Sequence, residues 1–277
     1  MRIAIIGAGP AGLAAAKKAS KENDIVVFDG NNDAGKKLLL TGSGRCNIGN
    51  VNNDLSKYHS SNKELIKKII NDKNFDKVNN FFKEIGLVLK DKNGYLYPYS
   101  EKSSSVLSCL KNSLDVDFRF NTYVENIKRK DNKFIINGEV FDKVIITTGG
   151  LSYPKTGSTG EGFHLAKAFG HKVTNLNPSL MALETNTGLE KEWSGTRCEV
   201  NVSSYIVGRK IKEEHGELQL TSFGLSGICI FNLSRDIRLA LNEEKSCEVR
   251  INFCPWTDDL SKYMEENKDK YLSLIHI

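Results

Sequence analysis

Residues 5–16, Ile5-Ile6-Gly7-Ala8-Gly9-Pro10-Ala11-Gly12-Leu13-Ala14-Ala15-Ala16, decide the fold. Ile3 and Ala4 precede them and complete a short apolar run suited to a buried parallel strand. Leu13 to Ala19 is rich in Ala and reads as a helix. Ile25-Val26-Val27-Phe28 is a second apolar strand, and it ends on Asp29. Strand, glycine turn, helix, strand and acid form the order of a dinucleotide-binding unit. Gly7 makes the tight turn, Gly9 lets backbone approach a pyrophosphate, and Gly12 lets the helix lie close to the strand. The helix N-terminus, which opens with Pro10 and Ala11, offers free N–H groups from Ala11 onward and about half a positive charge to phosphates. Asp29 follows Gly7 by 22 residues, the right distance to accept a hydrogen bond from a ribose hydroxyl. An acid there disfavours a 2′-phosphate, so the ligand is FAD or NAD rather than NADP.

A second glycine-rich stretch follows, Gly35-Lys36-Lys37-Leu38-Leu39-Leu40-Thr41-Gly42-Ser43-Gly44-Arg45-Cys46-Asn47. Its glycines, hydroxyls and cations suit a phosphate or a flavin edge, and equally an ordinary basic surface loop. Cys46 has no partner cysteine nearby, and a packed small residue explains it better than a redox thiol. Apolar residues at helical spacing mark helices around Leu65–Ile70 and Phe75–Ile85, the second stopped by Gly86. Residues 87–99 read as a hairpin about Asn93-Gly94, and Ser103–Leu110 as a helix. Strands are expected at 118–120, 123–127, 133–136 and 140–146.

Val144-Ile145-Ile146 runs into Thr147-Thr148-Gly149-Gly150, the second place where an apolar strand meets glycines, so a ligand can lie across both strand ends. Gly157-Ser158-Thr159-Gly160-Glu161-Gly162 then opens a helix at Phe163, with Ser158 or Thr159 as its cap. A second anion site and a capped helix without a ligand fit this loop equally well. Composition shifts around Asn177-Pro178, and a domain boundary is placed near residue 182. Beyond it come strand-like segments, a glycine turn at Phe223–Gly227 and few helix signals before residue 232.

The length, 277 residues, suits two units with a full core and no disulfide staples. The net charge of +5 is spread along the chain, which argues against a nucleic-acid face. The six cysteines show no CxxC and no metal spacing, which points to reduced thiols in a cytoplasmic protein and no metal site. The longest apolar stretch, Ile3 to Ala16, has 14 residues and is interrupted by three Gly and a Pro, too short to span a membrane. Its glycine pattern also sets aside a secretory signal.

Four blocks resemble the bacterial NAD(P)/FAD-dependent oxidoreductases, also described as aminoacetone-oxidase-family FAD-binding enzymes and including 3-dehydro-bile-acid Δ4,6-reductase-like flavoproteins. They are residues 5–16, 35–47, 147–171 and 216–227; the second and third are the specific ones. The resemblance implies an α/β fold: a Rossmann-like FAD-binding domain over 1–182 and an inserted β-rich substrate domain over 183–277. It implies FAD at Gly7, Gly9, Pro10, Ala11, Gly12 and Asp29, with Lys37, Thr41, Gly42 and Arg45 along the cofactor. Val124 would lie near adenine and Gly149 at the strand-end crossing. NAD(P)H is the implied electron donor, and a small unsaturated or carbonyl molecule the implied substrate, with no nucleic acid and no membrane as partner. No residue identifies itself as a catalytic acid or base, and the oligomeric state is not legible.

Two positions depart from the family pattern. Tyr95 stands where an Arg is frequent, and Ser222 where many members have a His or another polar residue. Members also continue past residue 277 with a last glycine-rich segment, so the resemblance implies a C-terminally truncated chain. Leu272-Ser273-Leu274-Ile275-His276-Ile277 reads as a non-native tail. A non-catalytic flavoprotein fragment and an FAD-dependent tRNA-modifying protein are the alternative readings.

Overall fold

In a computed structural model, the chain is described over residues 1–52, 54–60, 62–257 and 259–267. The expected tail at 272–277 lies outside the described residues. Two compact units divide between Val173 and Thr174. The division falls nine residues before the sequence-based boundary at 182/183. No helix or strand lies between Ala168 and Leu183, so the Asn177-Pro178 signal marks the middle of a connection rather than its start.

The first unit is built on a parallel sheet of four strands: β1 (Arg2–Ile6), β2 (Asp24–Phe28), β3 (Asp117–Arg119) and β4 (Lys143–Ile146). Their spatial order is β4-β1-β2-β3, with Ile3 opposite both Ile25 and Lys143. This is the doubly wound order in which ligands bind at the strand ends where the order reverses, between β1 and β4. Both faces of the sheet are covered. Ile3, Ile5, Ile25 and Val27 point to one core, shared with Leu13 and Ala16 of helix α1 (Pro10–Ala19). Helix α3 (Ser103–Asn112) adds Val106, Leu107 and Leu110 to the same core. The alternate residues Ala4, Ile6, Val26 and Phe28 point the other way, toward Ile136 and Phe141 of a small antiparallel meander and Leu165 of helix α4 (Glu161–Ala168). Phe28 and Phe141 meet edge to face at 5.9 Å. Each fully buried side chain of this kind contributes about 1.5–3 kcal/mol, which is why an unbroken apolar run was enough to identify the strands. Between β2 and α3 lies a short helix, α2 (Lys36–Leu40).

The hairpin forms as the sequence predicts, Leu89–Lys92 against Tyr95–Pro98, with Asn93 at φ +55° and Gly94 at φ +86°. Two strand expectations fail. Residues 123–127 are not a strand; the strand there is Lys128–Lys130. Val124 and Ile127 owe their apolar character to burial in the second core rather than to a ladder. The expected strand 140–146 is two strands, Glu139–Phe141 and β4, broken at Asp142. There the Asp142 carboxylate accepts the Arg2 N–H at 2.7 Å, which turns the chain into the parallel sheet.

The second unit is an antiparallel sheet ordered Leu183–Glu184, Gly224–Ser226, β6 (Arg209–Thr221), β5 (Arg197–Ile206) and β7 (Cys247–Asn252). Helix α5 (Ile228–Asn242) covers one face, packing Ile230, Leu233 and Ile237 on Val200, Val202 and Leu218. Two corrections apply here. The expected glycine turn at 223–227 contains the short strand Gly224–Ser226, and α5 begins at Ile228, before the residues that signal a helix. Ile228-Cys229-Ile230-Phe231 reads as strand in isolation, and burial of one helical face overrides that local preference.

Candidate functional site

The ends of β1 and β4 open into a cavity of about 220 Å³ within the first unit. Its geometry follows from three glycines with three different reasons. Gly7 has φ +104°, and its N–H donates to the Phe28 carbonyl at 2.7 Å. A Cβ on it would stand 2.6 Å from the Thr147 carbonyl oxygen. Gly12 in α1 has no room either: a Cβ would overlap the Gly7 carbonyl oxygen and lie 2.8 Å from Thr147 Oγ1. That hydroxyl donates to the carbonyls of Ile6 and Gly7, both at 2.9 Å, and so locks the end of β1. Gly9 differs. Its φ of −75° and ψ of 179° are open to any residue, and a Cβ on it would meet nothing within 4 Å. Neither backbone conformation nor packing inside the protein calls for glycine at this cavity-lining position.

Two helices begin at this cavity. Helix α1 starts with Gly9 as its cap and Pro10 in the first turn; no side chain caps it, and its first turn carries no acid. Helix α4 starts with Gly160 at φ +88°, also without a side-chain cap, but Glu161 sits in its first turn. Ser158 and Thr159 therefore do not cap α4. Ser158 is buried, and its Oγ accepts from Lys37 Nζ at 2.6 Å. Among the described residues, no carboxylate pairs with Lys37 or with Lys36, and both line the cavity. The bare α1 mouth carries no opposing charge, and Lys36 and Lys37 add positive charge to the cavity it opens into, a combination that favours anions. Glu161 places negative charge at the α4 mouth, which weighs against an anion there.

Asp29 faces the cavity at the end of β2. Its Oδ2 accepts the Ala8 N–H at 2.7 Å. Its Oδ1 accepts the Asn31 N–H at 2.8 Å and Asn31 Nδ2 at 2.9 Å. A little further along, Asp33 is held below the usual carboxylate range by its hydrogen bond from Lys111 and by the Ala34 N–H. The Lys111–Asp33 contact of 2.6 Å fixes the loop that delivers Lys36 and Lys37 to α3.

Of the residues expected from sequence, Gly7, Gly9, Pro10, Ala11, Asp29, Lys37, Val124 and Gly149 line this one cavity. Gly12 lies behind it, in helix–strand packing. Thr41, Gly42 and Arg45 do not line it; they follow α2 in a tight turn in which Gly42 and Ser43 both have φ +55°. Cys46 is buried in the first core, and Tyr153 is exposed at φ +54° in the loop before α4. Sequence reasoning missed Asn31, Tyr123 and the Lys37–Ser158 contact. Tyr123 lies so close over Gly30 that a Cβ there would enter its ring. Nothing in a single sequence marks these three; each is defined by a neighbour more than 90 residues away or by a side-chain orientation.

The sequence pattern of the HI0933-like protein Rossmann domain matches residues 1–237, a span that takes in all four blocks quoted above. The chain belongs to this family. It is 33% identical over 264 residues to the 3-dehydro-bile acid delta(4,6)-reductase of Clostridium scindens, covering 92% of this chain and 64% of that one. It is 29% identical over 247 residues to the ribosomal RNA dihydrouridine synthase of Haemophilus influenzae, covering 83% and 60%. The chain thus spans less than two thirds of the length of either curated relative. Among solved structures, the open conformation of a flavocytochrome c3 fumarate reductase aligns with a TM-score of 0.42 at 16% identity, over 76% of this chain and 44% of that one.

Proposed function

We propose that this HI0933-like chain carries the nucleotide-binding part of an FAD-dependent oxidoreductase. FAD, when bound, supplies the hydride chemistry, with NAD(P)H as electron donor and an unsaturated or carbonyl small molecule as acceptor. The chain's own groups have separable tasks. The N–H groups of Ala11 and Gly12 at the α1 mouth bind the diphosphate, with Lys37 supplying positive charge from the cavity wall. Asp29 accepts a ribose hydroxyl, Val124 lies against the adenine, and Gly149 leaves the strand crossing open. Thr41, Gly42 and Arg45 continue from Lys37 toward the flavin end. No side chain is assigned as catalytic acid or base.

The observation that carries this reading is Gly9, a cavity-lining glycine that neither its backbone conformation nor the packing around it requires. The corresponding test is titration of FAD into the purified chain, followed by its fluorescence. Saturable quenching is expected for the wild type. Gly9→Val should weaken it by about tenfold or more, by fending a charged oxygen off the helix N–H groups. Its apo melting temperature should move little, because the new side chain points into open space. Equal affinity of variant and wild type would overturn the reading.

The names of both curated relatives describe adding hydrogen across a carbon–carbon double bond, which supports an unsaturated acceptor. One name specifies ribosomal RNA. We assign this chain a small molecule instead, because its one run of three cations, Lys128-Arg129-Lys130, has another explanation. Those residues form the exposed edge strand of the meander, where charge blocks edge-to-edge pairing. Salt-sensitive binding of ribosomal RNA by the wild type, lost when all three become Ser, would reverse the assignment.

A further inference from the structure

We infer that Asn31 is a positioning residue that selects which oxygen of Asp29 reads the ligand's ribose, and that it thereby sets specificity for the 2′-hydroxyl. The inference rests on the nucleotide reading above. A carboxylate has about four acceptor positions, two on each oxygen. Among the described residues, Asn31 fills both positions on Oδ1, one from its backbone N–H at 2.8 Å and one from Nδ2 at 2.9 Å. On Oδ2 the Ala8 N–H fills one position at 2.7 Å. The single open position is therefore on Oδ2, the oxygen already bound to the glycine cradle. A sugar whose diphosphate sits at the α1 mouth presents its hydroxyl to the cradle side, so the open oxygen is the one within reach.

The side chain of Asn31 has a second attachment. Its Nδ2 also donates to the Thr156 carbonyl at 3.2 Å, across 125 residues of sequence. The loop holding Thr156 is otherwise closed on itself: Thr156 N–H and Oγ1 both bond the Tyr153 carbonyl, and the Gly157 N–H bonds that of Pro154. A Cβ on Gly157 would lie 2.5 Å from Asn31 Nδ2, so this loop rests directly on the amide. One amide thus fixes the carboxylate from below and is itself fixed from above, and it cannot rotate away without losing both bonds. A plain turn residue would need only its backbone N–H, which any side chain at position 31 retains.

Binding of ADP and of 2′-deoxy-ADP, compared by calorimetry on the full chain, separates these roles. ADP carries the diphosphate and ribose without the flavin, so the readout is independent of turnover. The wild type should prefer ADP by about tenfold, the worth of one hydrogen bond to a charged acceptor. In Asn31→Ala the preference should fall below about threefold, since one acceptor position on Oδ1 is freed and the carboxylate loses its side-chain tie to the Thr156 loop. Asn31→Asp keeps the shape but removes the donors, and it should lose the preference as well; if one variant fails to melt cooperatively, the other decides. A space-filling role would raise both dissociation constants together and leave their ratio at the wild-type value, and that result overturns the inference. A wild type that binds ADP and 2′-deoxy-ADP equally also overturns it while leaving the nucleotide reading standing. A wild type that binds neither ADP nor FAD overturns both.

Discussion

Helices α1 and α4 enter the same cavity from the ends of neighbouring strands, and both are packed through a glycine. Gly12 of α1 sits against the Gly7 carbonyl, and Gly162 of α4 sits against the Thr148 hydroxyl. Neither helix has a side-chain cap. They differ in charge and in what they touch. The first turn of α1 has no acid, whereas that of α4 carries Glu161, and Lys36 and Lys37 line the cavity that both helices enter. Two helix starts of near-identical construction therefore differ in charge, and one side chain in the first turn makes the difference. A glycine-rich strand end followed by a helix is thus not enough to specify phosphate binding; the first turn must also be free of acid.

The largest effect that would test this pairing concerns the two packing glycines. Alanine normally stabilises a helix interior by about 1 kcal/mol over glycine. At Gly12 the sign should reverse, because the new Cβ would overlap a backbone carbonyl that Thr147 also holds. Gly12→Ala should lower stability by about 2–3 kcal/mol in urea unfolding, the range for overpacking against an unyielding neighbour. Gly162→Ala should cost about 1 kcal/mol or less, since the obstructing atom is the Thr148 side-chain hydroxyl, which can rotate. Equal costs would show that the two interfaces are equally rigid and would break the structural side of the comparison.

The charge side is tested by exchange. Ala11→Glu gives α1 the acid that α4 has, at an exposed position in the first turn. Stability should hold or rise by about 0.3–1 kcal/mol from the favourable charge–dipole interaction. FAD affinity should fall by about tenfold or more, as a carboxylate occupies the place of a phosphate oxygen. Glu161→Gln should leave FAD affinity within about threefold of wild type and lower stability by a similarly small dipole contribution. An affinity loss for Glu161→Gln as large as that for Ala11→Glu would mean that both mouths contact the ligand.

Much of the first unit was legible because a parallel sheet covered on both faces needs unbroken apolar strands, and Ile3–Ile6 and Ile25–Phe28 have no competing explanation. The glycine cradle was legible because its glycines stand at fixed spacing between an apolar strand and an Ala-rich helix, although the atoms that exclude a side chain at Gly7 belong to Thr147 and Thr148. What escaped depends on distant atoms. Val124 and Ile127 look like strand residues, but their partners are Phe28, Ile136 and Phe141 in a core. Ser158 looks like a helix cap, but Lys37, 121 residues earlier, takes its hydroxyl. Asp29 was identifiable as an acid at the right distance; that Asn31 fills one of its two oxygens was not, because a single sequence does not reveal side-chain orientation. Helix α5 escaped for a third reason: its opening residues prefer extended backbone, and only the face presented to β5 and β6 makes them helical.

The smallest expected effect bears on how the α1 side keeps its cations in place. Lys36 and Lys37 follow a loop tied to α3 by the Asp33–Lys111 pair, whereas the Lys37 ammonium itself donates to the neutral Ser158 hydroxyl. Only the first tie needs a carboxylate in its charged form. The Asp33 carboxyl titrates below its ordinary value near 3.8 in the folded chain, chiefly through the Lys111 hydrogen bond. Its contribution is therefore complete above about pH 4 and is lost as pH falls through the lowered folded value. The pair is half exposed, so it contributes a few tenths of a kcal/mol, up to about 1. Lys111→Met should reduce stability by that amount at pH 7, and the difference from wild type should close as the pH is brought to 2.5, with 0.5 M salt closing part of it at pH 7. Were the difference to persist unchanged at pH 2.5, the lysine would be acting through the packing of its methylene chain on the loop. The loop would then be held by packing that is indifferent to the charge of Asp33.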